Sequence, residues 1–386
     1  MDFGFSEEQL ELYEAVQEFC DDVLAPKAEE TDAKGEFPWD NVKQMAQMDL
    51  FGIPVPEEYG GMGLSWMDWA VVGEQLAHAC TTSGAVFAAH MLCMYPIMAF
   101  GSEEQKQKYL TPLATGEKIG AMGLTEPDVG SDAGSVKTKA KLVGDEYLLN
   151  GTKIFITNGG AAETYVVIAN ANPEKGMRGL TAFIVEKGME GFEIGKNEKK
   201  MGFPSVPNTE LIFQDARVPR ENVLGREGRG FRVAMDLLDV GRIGMAIGAV
   251  GLAQKAYDDG VAYSLVREQF GQKISEFQAI QHQIADMAME IEAGRLLARK
   301  AAWCKDNGSP ELSKIAAMAK VYTSEVCARV CNRAVNIHGG HGYICDHAVQ
   351  RYLRESKLFE LVEGTSEIQR NVIALEVLKE AISQRK

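Results

Sequence analysis

"AKLVGDEYLLNGTKIFITNGG", residues 140–160, alternates apolar and polar residues and is broken twice by turn dipeptides, Gly144-Asp145 and Asn150-Gly151. Period-two alternation around such dipeptides predicts β-hairpins. The same short runs continue in "TYVVIAN" (164–170), "GLTAFIVEK" (179–187) and "NTELIFQDARVP" (208–219). On both sides the grammar changes. Before about residue 120 and after about 230, apolar residues recur at three- and four-residue spacing, which predicts helices. The expected fold is α+β: an N-terminal helical domain over 1–119, a middle antiparallel β domain over 120–230 (a small barrel or sandwich), and a C-terminal helical bundle over 231–386.

Local signals fill in the helices. Ser6-Glu7-Glu8-Gln9 is a capping box that opens the first one. Thr81 to Phe100 is small and apolar, with His90, Met91, Met94 and Met98, and reads most simply as a buried helix. Long amphipathic segments run roughly over 231–266, 276–307, 310–337 and 346–382, with a stripe of Ile280, Ile284, Met287, Ile291 and Leu297 suited to a bundle. "LFELVEGTSEIQR" (358–370) reads as two helices joined by a small-residue turn. A lone Glu363 stands at that turn. It is either a solvated loop charge or a base perched where a helix ends.

Composition bounds the function. The 386 residues are 46% hydrophobic and carry a net charge of −15, which argues against a general nucleic-acid binder. The acidic N-terminal stretch lacks the basic and apolar regions of a signal peptide. No uninterrupted apolar run approaches the roughly 18 residues of a membrane span. Seven scattered cysteines without CxxC pairs read as reduced thiols, and the expected location is the cytoplasm.

Motif spacing excludes several chemistries. "GREGRGF" (225–231) lacks the GxGxxG spacing and a parallel βαβ context, and no Walker sequence or GxSxG occurs. "HGGHGY" (338–343) has too few neighbouring ligands for a metal and suits a glycine-lined ligand contact. "GLTEPDVGSD" (123–132) is either a capped loop or a rim of N–H groups and hydroxyls for a polar ring or phosphate.

Together "GLTEPDVGSD", "NGTKIFITNGG", "REQFGQKISEFQAIQHQIADM", "NIHGGHGYICDHAVQRYLRESK" and "VEGTSEIQR" resemble, in order, the blocks of the acyl-CoA dehydrogenase family. That resemblance implies the three-domain acyl-CoA dehydrogenase fold with a C-terminal four-helix bundle, FAD as cofactor, a homotetramer, and electrons passed to an electron-transfer flavoprotein. It implies FAD contacts at Met122, Leu124, Thr125, Ser131, Phe155, Ile156 and Thr157. Arg267, Gln269, Phe270, Gln278, Asn336, His338, Gly339 and Gly340 match positions that reach FAD across the dimer, and Thr365 and Glu367 match contacts beside the catalytic loop. Ser131, Asp239, Arg242 and Gly364 match acyl-CoA contacts.

Glu363 occupies the family's usual base position, for removing the proton α to a thioester while a β-hydride goes to the flavin. The alternative base position in some members corresponds to Gly241, which donates nothing; Asp239 stays open on sequence. Val362, Phe155 and His341 depart from common family residues. The Ala/Gly/Met/Cys-rich lining around 83–98 suits a short, branched or alicyclic acyl group. No Lys or Arg occurs from 44 to 105, and Ser83 falls where a glutaryl-type arginine would stand, so a distal carboxylate is disfavoured. Competing readings are an enoyl-CoA reductase or an oxidase with the same motifs, and a non-catalytic acyl-CoA-binding protein.

Overall fold

The computed structural model describes residues 5–385; residues 1–4 and Lys386, which the expected terminal domains include, lie outside the described residues. The chain opens with helices α1 (Glu7–Phe19), α2 (Ala28–Lys34), α3 (Trp39–Gln47), α4 (Trp66–Ala79) and α5 (Thr81–Phe100), then the short α6 (Glu103–Gln105) and α7 (Thr111–Ala114). The capping box forms: the Gln9 N–H donates to Ser6 Oγ at 3.2 Å and the Ser6 N–H to Gln9 Oε1 at 3.1 Å. Helix α5 has the length and mean hydropathy (1.5) of a membrane span, which a search for unbroken apolar runs misses because Thr, Ser and His interrupt it. In the fold it is core, with 72% of that window buried. His90 in its middle is a structural residue. Its Nδ1 accepts from the Gly120 N–H at 2.9 Å, so Nε2 donates to the Leu113 carbonyl at 2.9 Å. Burial pushes its pKa down to about 4, which keeps it neutral.

The middle region holds β1 (Gly120–Gly123), β2 (Lys139–Val143), β3 (Glu146–Thr157), β4 (Thr164–Asn170), β5 (Leu180–Glu186), β6 (Phe192–Asn197), β7 (Asn208–Pro219) and β8 (Val223–Leu224). They form one sheet in the order β6-β7-β3-β2-β4-β5-β8, with β1 added on β4. Neighbours are mainly antiparallel, but β1 runs parallel to β4 from Gly120↔Thr164 to Gly123↔Val167. The long excursion through the β2–β3 hairpin supplies the crossover a parallel pair needs. Of the two turn dipeptides, only the first makes a hairpin. Gly144 takes φ +63 between the paired Val143 and Glu146. Asn150-Gly151 instead lies inside β3 at a bulge against β7. There Asn150 Nδ2 donates to Asp215 Oδ1 at 2.8 Å and the Asp215 N–H to Asn150 Oδ1 at 3.0 Å, a side-chain pairing that spans the bulge and keeps the strand continuous.

The C-terminal region holds α8 (Gly230–Val266), a small ribbon β9 (Glu268–Gln269) and β10 (Gln272–Lys273), then α9 (Gln278–Asp306), α10 (Leu312–His338), α11 (Val349–Leu361) and α12 (Ser366–Ser383). The fourth expected bundle segment is thus two helices, parted by Val362–Thr365. Helix α8 is the hub, packing on α4, α5, α9 and α10. Of the expected stripe on α9, Met287 and Ile291 are buried, and Ile280, Ile284 and Leu297 pack at its margin.

Candidate active site

The turn between α11 and α12 carries Glu363 into the protein. Glu363 has φ +54 and Gly364 φ +88. The first is a conformation a side-chain-bearing residue holds at a cost of about 1–3 kcal/mol, and such strain clusters at functional sites. The Glu363 carboxyl faces α8: Oε2 is buried without a hydrogen-bond partner among the described residues. A Cβ on Gly241 would meet that oxygen at 2.5 Å and Leu92 of α5 at 3.1 Å. Burial raises the carboxyl pKa to about 7, against the opposing pull of Arg242 and Lys320. A carboxylate titrating there, with one oxygen uncommitted, has the properties of a general base at neutral pH.

Asp239, left open by the sequence, is committed elsewhere. Arg242 Nη1 donates to Asp239 Oδ1 at 2.6 Å and Ser313 Oγ to Oδ2. Arg242 itself is buried, its charge acting on Glu363. These two therefore sit as a paired charge under Glu363, while Ser131 is exposed on the loop that follows β1.

One cluster of expected flavin contacts comes together at the β1–β3 edge. The Ile154 N–H donates to the Thr125 carbonyl at 2.9 Å, bringing Met122, Leu124 and Thr125 beside Phe155, Ile156 and Thr157. Phe155 is exposed (58%) at φ +59, and Ile156 is buried. A buried ion pair fixes this rim. Lys153 Nζ donates to Glu126 Oε1 at 2.7 Å and to the Leu124 carbonyl at 3.0 Å, while Glu126 also accepts the N–H groups of Lys137 and Thr138. Threonine hydroxyls beside an outward aromatic ring and half-buried aliphatic chains fit the polar edge and flat apolar face of a flavin.

A second cluster lies elsewhere. Arg267, Gln269, Phe270 (94% exposed) and Gln278 surround the β9–β10 ribbon. Tyr263 stacks on His338 at 4.2 Å, which sets Asn336, His338, Gly339 and Gly340 beside that end of α8. His341, unexplained by sequence, meets the Tyr263 hydroxyl through Nδ1 at 3.0 Å. Arg267 lies roughly 40 Å along α8 from Gly241 at 1.5 Å per residue, far from the Glu363 turn. Thr365 caps α12, its Oγ1 accepting from the Ile368 N–H at 3.4 Å. Glu367 is exposed and lines a cleft of about 480 Å³ with Arg329 and Asn332.

Two residues that hold the Glu363 turn escaped the sequence reading. Lys320 of α10 and Gln369 of α12 are fully buried and both bond the turn's carbonyls. The available signal was a lone lysine within "IAAMAKV" (315–321), where every neighbour is apolar. A further cleft of about 510 Å³ is lined by Asn172, Lys175, Arg178, Glu227 and Arg229, a basic surface on an acidic protein.

Helices, sheet and helices in this order are the fold of the acyl-CoA dehydrogenase family, to which the chain belongs: it is a flavoprotein oxidoreductase with FAD as its cofactor. Residues 6–117, 121–216 and 228–378 match the family's N-terminal, middle and C-terminal domains. The chain is 46% identical over 380 residues to the short-chain specific acyl-CoA dehydrogenase of Clostridium acetobutylicum, covering 98% of this chain and 100% of that one. It is 41% identical to the caffeyl-CoA reductase-Etf complex subunit CarC of Acetobacterium woodii, over 97% and 99% of the two chains. The solved butyryl-CoA dehydrogenase of Megasphaera elsdenii superposes with a TM-score of 0.95 at 43% identity, over 98% and 100%.

Proposed function

We propose that this protein dehydrogenates a short acyl-CoA thioester between Cα and Cβ, with Glu363 as the base. The observation that carries the reading is the Glu363 Oε2, buried, unpartnered and turned toward the side-chain-free face of α8 at Gly241. Glu363 takes the α-proton on that oxygen, and the ionised form is available above about pH 7. FAD supplies the acceptor for the β-hydride. Met122, Leu124, Thr125, Phe155 and Thr157 would hold its ring, and the strained turn holds the carboxyl against α8 at Gly241.

The acyl wall supports a short chain. One turn beyond Gly241, a Cβ on Gly244 would meet the Trp69 indole at 3.1 Å and Ala88 at 3.5 Å. Trp69 is buried and stacks on Phe87 at 5.3 Å, an aromatic plug across that end of the space. Ser83 is occupied by Asn41, whose Nδ2 donates to its Oγ at 3.0 Å, so no charge waits there for a distal carboxylate. The phosphates of the thioester's CoA would lie against Lys175, Arg178 and Arg229.

A homotetramer accounts for the apolar surface at Val266 (74% exposed), Phe270 and Tyr343 (87%). Seven free cysteines, six of them buried, suit the reducing cytoplasm. The electron acceptor is an electron-transfer flavoprotein. The name of the Acetobacterium relative favours one second reading, the same site run in reverse as an enoyl-CoA reductase.

Anaerobic titration of the FAD-loaded protein with butyryl-, isobutyryl-, isovaleryl- and cyclohexanecarboxyl-CoA tests the proposal. A saturated thioester should bleach the flavin, and Glu363→Gln should bind FAD without bleaching. Bleaching by the variant at the wild-type rate refutes the base; reoxidation of reduced enzyme by enoyl-CoA alone selects the reductase.

A further inference from the structure

The strained turn that carries Glu363 needs neighbours that over-determine it. Lys320, with no exposed surface, donates from Nζ to the Gly364 carbonyl at 2.7 Å and to the Glu360 carbonyl at 3.3 Å. The second bond satisfies one of the carbonyls orphaned at the end of α11. Gln369, equally buried, donates from Nε2 to the Glu363 carbonyl at 2.8 Å and the Gly364 carbonyl at 2.9 Å. Both carbonyls of the turn are therefore drawn toward α10 and α12. The Glu363 side chain is left on the opposite side, against α8.

A buried ammonium is an expensive way to hold two carbonyls, and a glutamine or serine would do that alone. What a lysine adds is charge. The groups facing it are Glu363 on the turn, Arg242 on α8, Glu360 on α11 and Glu367 on α12. Arg242 is already paired with Asp239, whereas Glu363 Oε2 has no partner.

We infer that Lys320 is a positioning residue for the base, fixing the Glu363–Gly364 turn through the Gly364 carbonyl and supplying a buried positive charge that favours ionised Glu363. The inference rests on the reading of Glu363 as base but is tested separately from it. Burial lowers the Lys320 pKa to about 8, with Glu363 opposing the shift. Near neutral pH Lys320 is therefore protonated while Glu363 ionises.

The test is an infrared difference titration of the Glu363 carboxyl in the FAD-loaded protein, with Glu363→Gln as blank. It is run on the wild type and on Lys320→Gln, Lys320→Met and Lys320→Arg. Loss of the charge in the first two should move the Glu363 titration upward by about one pH unit or more. Lys320→Arg should leave it within about 0.3 unit yet slow flavin reduction at least about tenfold, since misplacement of a reacting group by about 1 Å costs that much or more.

An unmoved titration in both neutral variants overturns the inference, because a purely structural lysine would alter thermal stability alone. Wild-type turnover in Lys320→Arg overturns it too. Where a neutral variant fails to retain FAD, Lys320→Arg decides. A wild type that no acyl thioester bleaches refutes the dehydrogenase reading, and the infrared titration still judges Lys320.

Discussion

Gly241 and Glu363 face each other so closely that a Cβ on residue 241 would stand 2.5 Å from the Glu363 Oε2. The Glu363 carboxyl fits there because α8 has no side chain at that one position. Gly241→Ala gains about 1 kcal/mol of helix propensity and loses about 1–3 kcal/mol to overpacking, a net loss of at most about 2 kcal/mol that leaves the protein folded. The displaced carboxyl should reduce the rate of flavin reduction by about 100-fold. Stopped-flow reduction by butyryl-CoA measures it, and a variant within threefold of wild type removes Gly241 from the site.

With Glu363 as the proposed base, its carboxyl sets the pH dependence. With the Glu363 carboxyl titrating at about 7, flavin reduction should fall tenfold per unit on the acid side of that value. A limb near the ordinary glutamate value of 4.5 would show that the carboxyl is not desolvated as the fold requires.

The same shift has a stability consequence with the opposite sense from a salt-bridged acid. Folded Glu363 binds its proton more tightly than unfolded glutamate, so its contribution is fully present below 4.5 and is lost as pH rises through about 7. Glu363→Gln, always neutral, should therefore be more stable than wild type at pH 8 by about 1–3 kcal/mol and close to it at pH 4.5. Thermal melts at the two values decide; an equal difference at both would sink the linkage.

Trp69 decides chain length if the aromatic plug closes the acyl space. Trp69→Phe removes bulk next to Gly244 and keeps the stack on Phe87. The ratio of kcat/KM for hexanoyl- over butyryl-CoA should rise about tenfold, the worth of a methylene or two newly accommodated. An unchanged ratio places the end of the acyl pocket elsewhere.

The basic cleft predicts a dissection by substrate. Arg178→Ala or Arg229→Ala should raise KM for a CoA thioester several-fold at low salt and leave the matching pantetheine thioester untouched, since pantetheine carries no phosphate. The effect should shrink at high salt, as exposed charges are screened. Equal effects on both thioesters would show that the cleft does not hold them.

Much of the architecture was legible in the sequence because it rests on local rules. Alternation over 140–160, hydrophobic spacing on either side and the Ser6 capping box each depend on residues a few positions apart. Where Asn150-Gly151 misled, the reason was long-range: the dipeptide's side chain found Asp215 on a neighbouring strand and became a bulge instead of a turn. Helix α5 is the buried helix its small apolar sequence suggested, covered by α4, α8 and the sheet.

The sequence by itself determined the succession of helices, sheet and helices, the likeness to one enzyme family, and the singular placement of Glu363 where a helical run breaks into Gly364 and Thr365. Local pattern left that glutamate either a solvated charge or a base, the family likeness pointed to the base, and neither could tell how its carboxyl titrates. That depends on what surrounds its carboxyl, and the surroundings come from segments distant in the chain: Leu92, Gly241, Arg242 and Lys320. Only the tertiary structure set the burial that lifts the carboxyl pKa to about 7 and committed Asp239 to Arg242 and Ser313. Local pattern fixes secondary structure through backbone geometry and hydrophobic periodicity. The protonation behaviour of a side chain is fixed by solvent exclusion and by charges within a few ångströms, and folding alone brings those together.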